Sequence, residues 1–90
     1  MKVENMTSSK GNKVANQFIV FDSEYTWFQS YGSVIVKTDF VDDVRRVQLD
    51  ETYWDYSKTT SKYRNQFLGE TTKETQAKID SGEYILTDLN

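Results

Sequence analysis

The sequence predicts an α+β fold: a single small domain with an antiparallel sheet of about four to five strands and two short helices in the C-terminal half. Three observations point there. Runs rich in β-branched and aromatic residues, broken by short polar stretches, fill Gln17 to Asp50. Two helix-capping signals follow close together, one at Ser57 or Thr59 and one at Thr71. At 90 residues the chain has the length of one domain with a compact core, and no room for a deep cleft between two domains.

Residues 1–16 are polar and show neither a period of 2 nor one of 3.6, which predicts a flexible N-terminal arm ahead of a domain over 17–90. "QFIVFD" and "YTWFQS" flank a short polar break and read as a hairpin. After the punctuation of Gly32, "SVIVKTD" is the clearest strand. A loop around Phe40 to Asp43 leads to "VRRVQLD", where Val47 and Leu49 share a face with Arg45. The meander has room for an extension through "TYW". The first helix carries Tyr63 and Phe67 four residues apart on one face and ends at Gly69. The second opens on Thr71-Thr72-Lys73-Glu74, a capping box, and stops at Gly82. "EYILTDL" alternates well enough to form a last strand. Trp54 and Phe67 are expected in the core, where sheet meets helix.

Composition removes several function classes. The chain has 37% hydrophobic and 14% aromatic residues, a profile that can bury a core. It has no cysteine and no histidine, so disulfides, thiolate zinc sites, a cysteine nucleophile and the commonest general base are all excluded. No apolar run reaches the ~20 residues of a membrane span, and no signal-peptide core opens the chain, so the expected location is the cytoplasm. "YGS" lacks the second glycine of a nucleophile elbow, and there is no partner base for Ser33. No phosphate-cradling glycine loop is present. The carboxylates do not follow a calcium-loop pattern. The reading is therefore of a protein that is not an enzyme and takes no cofactor.

Charge is distributed unevenly within a net of −3. From Thr38 to Tyr56 six acids, Asp39, Asp42, Asp43, Asp50, Glu51 and Asp55, face only Arg45 and Arg46, a local balance of −4. From Ser57 to Leu68 there are Lys58, Lys62 and Arg64 and no acid. The acidic stretch is a candidate face for a protein partner. Tyr56, Lys58, Lys62 and Arg64 are candidate contacts for nucleic acid or a partner, because flat rings stack on bases and cations meet phosphates.

"FQSYGSVIVK", "LDETYWDYSKTTSKYRNQFLGETTKET" and "SGEYILTDL" together resemble a family of small proteins and domains encoded by bacteriophages and mobile elements and described as a domain of unknown function. The resemblance spans roughly Gln17 to Leu89. It implies a phage or mobile-element setting in a bacterial host and carries no chemistry. In that setting the expected function is an accessory protein that binds a host protein, as a host-takeover or anti-defence inhibitor. The alternatives are a nucleic-acid-binding accessory module and a structural domain with no ligand.

Overall fold

The computed structural model describes residues Met1–Asn90. Six strands and two helices follow one another as β1 (Lys2–Thr7), β2 (Lys13–Phe21), β3 (Thr26–Ser30), β4 (Ser33–Val41), β5 (Val44–Asp50), α1 (Lys58–Leu68), α2 (Thr72–Ser81) and β6 (Tyr84–Thr87). The strands lie in one sheet in sequence order, antiparallel at every junction but the last, where β6 runs parallel to β5. The α+β class is as the sequence predicts. The sheet is larger than expected by one edge strand, β1, and the last strand read from "EYILTDL" is β6.

Residues 1–16, read from sequence as an arm, instead carry β1 and the start of β2. β1 is an edge strand whose one fully inward side chain is Met6, so its polar sequence shows no alternation to read. "TYW" does not extend the meander: Thr52 to Tyr56 form a turn leading into α1. The parallel β5–β6 pair follows from connectivity, because two helices intervene and supply the crossover that parallel neighbours require.

One face of the sheet carries the core. Phe28, Ile35, Val36, Val47, Leu49 and Tyr84 meet Met6, Tyr63 and Leu68, with Ile19, Tyr53, Trp54 and Phe67 packed at the margin. Phe28 has no exposed surface and stacks on Phe67 with ring centroids 5.9 Å apart. A register shift opposite Phe28 and Gln29 inserts one extra residue into β4, so the consecutive Ile35 and Val36 are both fully buried. Trp54 is half-buried, not central to the core as expected.

The capping signals hold. Ser57 Oγ accepts the Thr60 N–H, and Gly69, at φ 73°, closes α1 in the left-handed conformation that only glycine adopts cheaply. Thr71 and Glu74 form the reciprocal capping box of α2. α2 contributes little to the core; Thr75 is its one buried residue.

Two buried carboxylates tie these elements together. Glu70 accepts hydrogen bonds from Tyr84 Oη (2.6 Å), Lys78 Nζ (2.9 Å) and Thr75 Oγ1 (2.5 Å), joining the interhelix turn to α2 and β6. Asp50, at the end of β5, accepts the Thr52 and Tyr53 N–H groups on one oxygen and the Leu89 N–H (2.8 Å) on the other. The chain beyond β6 is thereby drawn toward the start of β4, where Asp88 and Leu89 line a crevice with Trp27, Val34 and Lys37. There the Asn90 side chain accepts from Val34 N and donates to Val34 O, pairing with β4 where β5 has ended.

Burial pushes both carboxyl pKa values up, but the hydrogen bonds outweigh it and leave each below the ordinary value. A depressed pKa stabilises the fold above the unfolded carboxylate value and loses that contribution as pH falls through the folded one. The melting temperature should therefore be level near pH 6 and drop below about pH 4. Glu70→Gln should lower stability by about 1–3 kcal/mol at neutral pH and flatten the acid limb, read by thermal unfolding across a pH series. An unchanged acid limb in that variant would show that Glu70 is not one of the groups responsible.

Candidate functional site

Strand register separates the predicted acidic face into two ends of the sheet. Phe21, Thr26, Thr38 and Val47 lie in one row across β2 to β5, so the β2–β3 loop and the β4–β5 turn project from the same end. Asp39, Asp42 and Asp43 are at that end, with Asp22 and Glu24 from the neighbouring loop. Asp50, Glu51 and Asp55 lie beyond the other end of β5, about 20 Å away at the usual rise per strand residue. A face of six carboxylates does not form.

The β4–β5 turn is tighter than the expected loop around Phe40 to Asp43. Val41 pairs with Val44, leaving a two-residue connection. Asp42 and Asp43 both have positive φ, 52° and 64°, the backbone of a type I′ turn, which aspartate tolerates and which matches the twist of a hairpin. Phe40 and Val41 therefore belong to β4. Beside the turn, Phe40 is 70% exposed, Val44 63% and Val41 43%. Phe40 and Asp39 also line a shallow crevice of about 390 Å³ with Ser23, Glu24 and Tyr25. Asp39 receives two hydrogen bonds from Arg46, at 2.5 and 3.2 Å, which hold its carboxyl below the ordinary value. Asp42 and Asp43 are in no ion pair.

The predicted basic turn is also divided. Tyr56, Lys58 and Lys62 are exposed. Arg64 is not on the surface: it is fully buried beneath the turn that precedes α1. Its guanidinium donates to the Trp54 carbonyl, Asp55 Oδ1 (3.1 Å), Ser61 Oγ (3.4 Å), Asn65 Oδ1 (3.0 Å) and Thr72 Oγ1 (2.8 Å), and lies 5.0 Å from the centre of the Trp54 ring. This network locks the β5–α1 turn to the start of α2. Asp50 is likewise buried, 1% exposed, and so is not on the surface where the sequence reading expected it, whereas Asp55 is exposed with one carboxylate oxygen engaged by Arg64 and Ser61.

A helical period carried the missed signal for Arg64. Thr60, Tyr63, Arg64, Phe67 and Leu68 follow the spacing i, i+3, i+4, i+7, i+8, which places Arg64 within the inward stripe of α1. For Asp50 the signal was an acid at a strand end followed by a polar turn, a position where carboxylates accept backbone N–H groups. The exposed Phe40, Val41 and Val44 were hidden because a strand-like run gives no hint that its last residues outrun the core.

No group of three or more histidine, cysteine or acidic side chains is placed to hold a metal ion. No helix is long and apolar enough to cross a membrane. No curated protein and no solved structure matches the chain. Residues 1–83 match the model of a family described as "Family of unknown function (DUF8033)", a span that runs from β1 through α2 and takes in both charged ends. Covering all but the last strand and tail, the match means that the chain belongs to this family of unknown function.

Proposed function

We propose that this chain is a non-enzymatic accessory protein of a phage or mobile element, working in the cytoplasm of a bacterial host by binding a basic patch on a host protein through its β4–β5 tip. The carrying observation is the exposure of Phe40, Val41 and Val44 around the unpaired Asp42 and Asp43. Val41 and Val44 form a small apolar pair on one face of the tip and Phe40 lies on the other, so a partner that clasps the tip finds contact area on both sides, and the free acids of the turn supply a field that steers a cationic one. The type I′ turn holds these groups in place before binding, so little ordering entropy opposes association. Glu24 extends the acidic rim, while the charge of Asp39 is met by Arg46. The phage setting rests on the resemblance of the strand and YWDYSKTTSKYR motifs, and host takeover or anti-defence inhibition is the role that a small acidic binder fits there.

Tagged protein passed over nuclease-treated bacterial lysate should retain a basic protein. Asp42→Asn with Asp43→Asn keeps residues that accept positive φ and removes only charge. That pair should slow association about tenfold at low salt and less at high salt. Phe40→Ser with Val44→Ser should speed dissociation. Capture that is equal in wild type and both variants would sink the tip as the docking site.

A further inference from the structure

We propose that the end of the sheet opposite the acidic tip binds single-stranded nucleic acid, through a surface that is discontinuous in sequence. Three hydrogen bonds assemble it. Ser30 and Thr60 hydroxyls, 2.8 Å apart, hold the β3–β4 turn against the first turn of α1. Tyr31 N donates to Asn16 O at 2.9 Å, tying that turn to β2. Gln66 Nε2 donates to Thr7 O at 3.0 Å, tying α1 to the β1–β2 hairpin. Together they place Lys10, Lys13, Tyr31, Tyr56, Lys58 and Lys62 at one end of the molecule.

These six side chains are exposed, Tyr31 to 53% and Tyr56 to 45%. None of the four lysines is in an ion pair. The acids nearby are already engaged: Asp50 is buried on backbone N–H groups, and Asp55 is held by Arg64 and Ser61. No acid occupies the first turn of α1, and Glu51 and Asp88 remain at the border. Aromatic faces that stack on bases among unneutralised cations that follow a backbone are the recognition chemistry of single strands, and stacking accepts any base. A duplex keeps its bases stacked within the helix and presents no face to these tyrosines. This surface replaces the sequence-local candidate: Arg64 leaves it, while Lys10, Lys13 and Tyr31 join it.

The test is fluorescence anisotropy with a labelled oligothymidine of about twelve nucleotides, within the usual site size of such surfaces. Four phosphate contacts give a salt slope of at most about 3, so affinity should fall up to about 50-fold between 0.05 and 0.2 M salt. Changing the four lysines to Gln should remove the binding and its salt dependence. Tyr31→Ala with Tyr56→Ala should weaken binding at least about tenfold and leave the slope unchanged. Asp42→Asn with Asp43→Asn should leave this binding intact, which separates it from the proposed protein-binding role of the tip. Circular dichroism of each variant should match the wild type, since all six residues are exposed. Absence of binding at 0.05 M salt would overturn the proposal. So would binding that survives the lysine changes, or that is displaced by heparin and indifferent to the tyrosines, which marks a surface for any polyanion.

Discussion

Arg64→Ala is expected to lower the free energy of unfolding by about 3–5 kcal/mol, because it empties a fully buried site and strips several acceptors of their donor at once. In a domain of this size that is a large share of the total stability. The loss has three parts. The carbonyl of Trp54 and the hydroxyl of Thr72 lose a buried donor, Asp55 loses its counter-charge, and the Trp54 ring loses the guanidinium it stacks on. Arg64→Lys should restore less than half, because a single ammonium cannot reach five acceptors set around a planar fork. Thermal unfolding is the measurement, and a drop of more than about 12 °C is expected for the Ala variant. A melting temperature within a few degrees of wild type would mean that the side chain is at the surface, where the sequence reading had placed it.

Phe28→Ala should destabilise by a similar amount, about 3–5 kcal/mol, through lost burial and the cavity left behind. Phe28 is fully buried, stacked on Phe67, and flanked in the sheet by Ile19 and Val36. The informative comparison is Phe40→Ala. Register puts Phe40 on the same face as Val36 and Thr38, but it lies past the buried rows and is 70% exposed. Its removal should change stability by less than about 0.5 kcal/mol, as for ordinary surface positions. Equal losses for the two phenylalanines, measured by urea unfolding, would mean that the tip packs against something and is not a free surface.

Much of the fold was legible locally. Alternation and β-branching marked β2 to β5, and Ser57, Gly69, Thr71, Glu74 and Gly82 marked the helix ends, because each acts within a few residues of itself. β1 escaped because an edge strand with one inward side chain needs no pattern, and its existence depends on a partner to pair with. The candidate site was legible only in composition. An acidic segment followed by a basic one was evident, but which of those charges reach solvent was not.

The sequence by itself determined the fold class, the helix caps, the absence of cysteine and histidine chemistry, and the supply of acids, cations and aromatics. Tertiary structure alone decided their use. It buried Arg64 and Asp50, sent Asp42 and Asp43 to one end of β5 and Glu51 and Asp55 to the other, and brought Lys10, Lys13 and Tyr31 alongside Lys58 and Lys62. The physical reason is range. Caps and turns are settled by hydrogen bonds a few residues apart, whereas the exposure of a charge depends on which distant backbone carbonyl or sheet edge is packed beside it, as the Trp54 carbonyl is beside Arg64.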